Sequence, residues 1–293
     1  GARAAVRDRV AMEHKWAAYR SSPEEIEALR RRWEERRAAH AAELARLRRV
    51  VVHAFPADAL AAVVLIDVGS RTIESHVATA GSPGWLEPVR ERLAGYDAIA
   101  GLGIRNLVRG LGFDPGERRL GDLVPPQKSL RLNQRGRTLK ITTAMLIQGS
   151  CGISRPLADA TTLAGYLAAG DRSRLLRRME ADAKSLFWLY EYGRLHGGVR
   201  LRWGFLDEIF PAPWSPRDET SLRDLCKLAL ELDVRLEIVA GNAPGWTDPW
   251  SRMRRCRVHE ENYRYWLFDE QGLAVHLRDV QLARLEPVER TLH

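Results

Sequence analysis

Cysteine is scarce in this chain. Three thiols, Cys151, Cys226 and Cys256, are spread over 293 residues, odd in number and nowhere in a Cys-x-x-Cys spacing. That set supports neither a disulfide framework nor a thiolate zinc site, and a reducing compartment suits it. Cys151 lies between small residues in Gly149-Ser150-Cys151-Gly152 but has no base motif nearby, so it reads as a buried thiol and not as a nucleophile. Long apolar runs are lacking too: nothing approaches the ~20 residues needed to cross a bilayer. The opening stretch, Gly1-Ala-Arg-Ala-Ala-Val-Arg-Asp-Arg, has no signal-peptide apolar core, so a cytoplasmic protein without a membrane partner is expected. Histidine pairs of the His-x-His or His-Glu-x-x-His kind are missing, which leaves His53, His76 and His196 as core or turn histidines.

Acid falls short of base. Asp and Glu number 38 against 46 Lys and Arg, a formal charge of +8 and a pI near 9.7. This balance favours polyanionic partners through counterion release, with a merely solvated arginine face as the alternative. The 45% hydrophobic content over 293 residues suffices for one medium core and one small one, hence two domains.

Along the chain, Ser22-Pro23-Glu24-Glu25 is a capping box that opens a long helix over 22–48. Its apolar stripe (Ile26, Leu29, Trp33, Leu44, Leu47) is narrow and its back is arginine-rich, which suits packing on its own domain or docking on a protein partner. Strand texture follows at 50–55, 62–68 and 72–78, then a helix at 85–93, a short strand at 96–102, a helix at 106–109 and a strand near 118–123. Helices are expected from Leu139 to Leu195. Phe210-Pro211-Ala212-Pro213-Trp214-Ser215-Pro216 reads as a stiff linker. Beyond it lie a helix through Leu232 and five short strands, with Asp269-Glu270-Gln271-Gly272 as a hairpin turn.

Two resemblances attach to this order. Tyr96-Asp97-Ala98-Ile99-Ala100-Gly101-Leu102-Gly103-Ile104-Arg105-Asn106, Gly121-Asp122-Leu123, and above all Arg178-Met179-Glu180-Ala181-Asp182 running on to Tyr192-Gly193-Arg194-Leu195-His196-Gly197 resemble RNase H-like DEDD (DnaQ-like) 3′-5′ exonuclease domains. The resemblance covers Tyr96 to about Trp203. It implies an α/β fold with an RNase H-like mixed sheet flanked by helices, preceded by the long N-terminal helix. The tail from Tyr265-Trp266-Leu267 to Leu285 looks like a small antiparallel SH3-like or WYL-like barrel. Domains are therefore expected at 1–48, 49–210 and 217–293.

The exonuclease resemblance implies four acids holding two Mg²⁺ or Mn²⁺ ions for in-line attack on a phosphodiester. Carried over by position, Asp122 and Asp182 keep the third and fourth acids. At the first motif, Asp-x-Glu in the family, this chain has Val52-His53-Ala54-Phe55, and at the second it has Asn106-Leu107. Moving the first motif to Asp67 restores one acid at the expense of a strand. The site is thus expected to be degenerate and without a cofactor if inactive, with Asp122, Asp182, Asp67 and Glu180 as the set to test if active. Lys128, Arg131, Arg135, Arg137 and Lys140, unbroken by any acid, are the leading basic patch, and Arg105, Arg255, Arg257 and Arg264 add to the nucleic-acid candidates. The expected function is a DNA- or RNA-binding module with an exonuclease-like domain that is not active, working inside a complex. The alternatives are an active metal-dependent 3′-5′ exonuclease and a structural scaffold subunit.

Overall fold

The computed structural model describes residues 24, 27–28, 31–32, 35, 47–56, 59–78, 84–132, 136–214, 221–242, 246 and 248–286. Two compact units divide the chain, 1–46 and 47–293. In the first, residues 24, 27–28, 31–32 and 35 are helical and exposed; the rest of the helix expected over 22–48 lies outside the described residues, except that Leu47 and Arg48 are not helical. No helix among the described residues is long and apolar enough to cross a membrane.

The larger unit is mixed α/β. Its first sheet holds β1 (Arg49–Phe55), β2 (Ala62–Asp67), β3 (Ile73–Val77), β4 (Ala98–Gly101) and β5 (Arg119–Asp122) in the order β3-β2-β1-β4-β5. The first three pair antiparallel, while β4 and β5 run parallel to β1. A parallel return needs a crossover, and α1 (Glu87–Ala94) and α2 (Ile104–Gly110) supply them.

Because strand side chains alternate, the sheet has two distinct faces. Val50, Val52, Val63, Leu65 and Ile99 pack under α1 and α2. Val51, Val64, Ile66 and Ala100 face the opposite way, into the core built on α5 (Arg172–His196). Both faces are covered, which is why β1 and β2 read as unbroken apolar runs in the sequence.

α3 (Thr143–Cys151), α4 (Ala160–Ala168) and α5 are N-capped by the side chains of Thr142, Asp159 and Asp171, each accepting a backbone N–H three residues on. From Phe187 to Gly193 every residue of α5 is buried, as befits a helix enclosed on all sides. At Gly193 an added Cβ would lie 2.6 Å from the Trp214 indole nitrogen, so the glycine of the Tyr-Gly-Arg segment is a packing requirement.

Two short ribbons interrupt this helical part. β6 (Ser129–Arg131) pairs with β7 (Thr138–Lys140), and β8 (Gly198–Trp203) pairs with β9 (Leu206–Pro211). Helix expected from Leu139 therefore begins only at Thr143. The expected linker is also folded in: Phe210 and Pro211 belong to β9, and Trp214 is 5% exposed against α5.

α6 (Leu222–Leu232), opened by a Ser221–Asp224 capping box, covers a second sheet of β10 (Leu236–Ala240), β11 (Arg254–Glu261), β12 (Arg264–Asp269), β13 (Ala274–Val275) and β14 (Val280–Leu285). All pairs are antiparallel, in the order β13-β12-β11-β10-β14; the described strands show no pairing of β13 with β14 that would close a barrel. Its separate core centres on Leu236, Ile238, Cys256 and Leu267. Residues 49–210 and 217–293 nevertheless lie in one compact unit. Tyr192 Oη donates to the Arg278 carbonyl at 2.7 Å, His196 Nε2 lies 2.6 Å from the Val280 carbonyl, and Gln281 Nε2 donates to the Ser150 carbonyl at 2.8 Å.

Candidate functional site

Where α5 crosses the first sheet, Asp182 is 1% exposed beneath the loop that leads into α4. Both carboxylate oxygens accept the Ala158 N–H at 3.1 Å, and Arg178, one turn back on α5, approaches Oδ1 at 3.0 Å. The imidazole of His53, on β1, faces the same carboxylate with Nε2 3.8 Å from Oδ2, and that nitrogen is buried with no hydrogen-bond partner. Burial drives both groups toward neutrality: it pushes Asp182 up to about 6 against the pull of Ala158 and Arg178, and it pushes His53 down to about 4. Glu180 is turned about 200° from Asp182 around the helix axis. It accepts the Ser75 hydroxyl of β3 at 2.7 Å.

The other carried-over acids lie elsewhere. Asp122 shares a sheet row with Gly101 and Val52, on the α1/α2 face, and its Oδ1 accepts the N–H of Gly103 at 2.9 Å and of Val124 at 3.1 Å. Asp67 is aligned with Val50 on that same face. Burial opposes its ionisation, but hydrogen bonds from Ser70 and Tyr96 outweigh it and hold the carboxyl below its usual value. Asp122 and Asp67 are thus turn and strand-end acceptors on one face, and Asp182 belongs to the other. Parity along the strands separates them.

Paired divalent cations need converging oxygen ligands. Among the described residues Asp182 is the one carboxylate so placed, and it already takes a backbone N–H and a guanidinium, so the residues do not fit a two-cation site. Among the described residues no group of three or more His, Cys, Asp or Glu could hold a metal. The histidines stay apart as well: His76 sits in the Val63 row on the α1/α2 face, and His196 stacks on Tyr192. All three cysteines are buried; burial raises their thiols, to about 11 for Cys256, about 12 for Cys226 and higher for Cys151, which removes them as nucleophiles.

The basic patch is better assembled. In the β6–β7 ribbon Leu130 and Leu139 are paired and turn inward, while Arg131 and Lys140 turn outward on the other side, flanked by exposed Lys128 and Arg137. Arg135 lies outside the described residues. Arg105 is exposed on α2. On the second sheet Arg255 is engaged with Glu286 at 3.4 Å and Glu237 at 4.0 Å, Arg257 is exposed on the same strand, and Arg264 lines a cavity at the β12 end.

No family model, curated protein or solved structure matches this chain.

Sequence reasoning missed the partners of Asp182. Arg178 was visible four residues before it on the same helix, and a cation at that spacing is a signal for a paired carboxylate. The β8–β9 ribbon was missed too, although Arg200, Arg202 and Asp207 flank a Gly204-Phe205 tip; in the structure Arg200 grips Asp207 at 2.7 and 3.0 Å and Asp279 at 2.8 Å.

Proposed function

We propose that this protein is a nucleic-acid-binding module whose RNase H-like domain is not catalytic. The RNase H-like reading is supported by a five-stranded sheet in which three antiparallel strands are followed by two parallel ones, with the order β3-β2-β1-β4-β5. It is supported also by the meeting of His53 and Asp182, at the first-strand and closing-helix positions where the resembling domains hold acids. In place of a cation pair stand an imidazole and a guanidinium, and that substitution removes water activation by metal.

The observation that carries the binding reading is the β6–β7 ribbon, anchored by Leu130 and Leu139 and presenting Arg131 and Lys140 outward. Lysine and arginine on a two-stranded ribbon bind phosphates without reading sequence, and each phosphate neutralised adds salt dependence. Arg131→Gln with Lys140→Gln should lower affinity for single-stranded DNA and RNA and flatten log K against log salt by about 1.4, roughly 0.7 for each phosphate left without its cation. Fluorescence anisotropy over a salt series measures this, and an unchanged slope refutes the ribbon. In the same preparation a nuclease assay with Mg²⁺ or Mn²⁺ tests the non-catalytic half. Cleavage that vanishes in Asp182→Asn would make the protein an exonuclease.

A further inference from the structure

The second sheet carries a cleft that the reading above does not use. It lies among β12, the 277–279 turn, the start of α6 and the β8–β9 ribbon, and its cavity of about 710 Å³ falls in the size range of small-molecule sites. Among the described residues Arg200, Arg223, Arg264 and Arg278 line it, and Asp207 and Asp279 are the acids of that lining. Asp207 holds Arg200 and, at 2.9 Å, Arg278, while Asp279 holds Arg200 from the other side. Among the described residues neither aspartate pairs with Arg223, which lies 5.9 Å from the centre of the Tyr265 ring, or with Arg264.

Beside them stand Tyr263 and Trp266. The two-residue turn between β11 and β12, Asn262-Tyr263, has φ of 52° and 62°, and such hairpin turns take Asn-Gly most readily. A bulky residue in left-handed backbone is strained, and packing does not offset it here, since Tyr263 is 87% exposed. Strain held where burial contributes nothing points to a task for the side chain outside the fold. An exposed ring next to guanidinium groups that the aspartates of the lining do not hold matches one ligand chemistry: a planar base that stacks and a phosphate that accepts from arginine.

We infer that this cleft binds a nucleotide unit, its base on Tyr263 and its phosphate on Arg264 and Arg223. This rests on the nucleic-acid reading for the source of the nucleotide, and adds to it a subsite on a different sheet from the β6–β7 ribbon.

The test uses the full chain with fluorescein-labelled dT10 by anisotropy, and with dTMP and inorganic phosphate by calorimetry. Tyr263→Gly and Arg264→Gln should each weaken dT10 and dTMP about ten-fold. Because glycine suits the turn, Tyr263→Gly should melt no lower than the parent, which separates a binding defect from a folding defect. Wild-type affinity in both variants overturns the cleft; if the Arg131→Gln/Lys140→Gln protein then loses dT10, the ribbon reading survives alone. Binding of dTMP but not dT10, sensitive to Tyr263→Gly, upholds the cleft with a free nucleotide as its ligand and overturns the nucleic-acid module. Phosphate binding as tightly as dTMP overturns the stacking role, and binding of none overturns both readings.

Discussion

On the first sheet the Asp182 carboxylate under α5 is shut in and answered by the protein itself, whereas on the second sheet ionisable side chains line an open cleft. Asp182 is enclosed with Arg178, the Ala158 N–H and His53; Arg264 and Tyr263 are exposed at the end of a hairpin. Both regions hold arginine and carboxylate, yet low dielectric turns the first into a problem of mutual neutralisation, and water leaves the second free to exchange partners. A net charge of +8 does not distinguish the two. Where each charge faces does.

That contrast can be broken at Arg178. Removing the cation strands the buried Asp182 carboxylate, which can escape by taking a proton, so Arg178→Gln should cost about 2 kcal/mol at pH 7.5, read by urea unfolding. The penalty should shrink below pH 6, where Asp182 accepts a proton. A small, pH-independent loss would mean that Arg178 merely solvates the helix.

The second effect is in the pH dependence of stability. Burial lowers His53 and His196 from 6.5 to about 4, so as pH falls through that window the unfolded chain takes up protons that the folded one refuses, and stability is lost. Asp182, raised from 3.8 to about 6, takes its proton earlier in the folded state and returns stability over nearly the same range. Two losses against one gain leave a net fall on the order of 3 kcal/mol between pH 6.5 and 4. His53→Gln removes one loss and should leave the curve close to level, as measured by unfolding at pH 7, 5.5 and 4.5; a slope as steep as the parent's would place the proton uptake elsewhere.

The smallest effect has the opposite sign and belongs to the cleft. Tyr263→Gly should stabilise the fold by about 1 kcal/mol, because the turn then holds a residue at ease with positive φ. Calorimetry checks it. A fall in Tm would show that Tyr263 is a packing residue and erase the difference between the two regions.

Much of the secondary structure was legible. β1 and β2 show as apolar runs, Ser221 with Asp224 as a capping box, and Asp269 to Gly272 as a turn, since each is a local preference written in a few neighbouring residues. The β6–β7 ribbon was hidden because three-residue strands carry too little alternation, and the Pro-rich stretch before Trp214 misled because turn-forming composition does not reveal that a tryptophan will be buried across Gly193. Of the candidate site, Asp182 and the importance of its helix were visible. Its separation from Asp122 was not, because a strand residue's face depends on register, and register depends on pairing with strands far away in the chain.

The sequence alone determined the element order through the first sheet, the basic balance, and the lack of a cysteine or histidine metal motif, all of them properties of short segments or of composition. Tertiary structure decided which charges meet. His53 and Asp182 are 129 residues apart in the chain, and Arg200 and Asp279 are 79 apart. Contacts at such separations form only when two sheets and α5 pack together, since that packing excludes the water that would otherwise screen them.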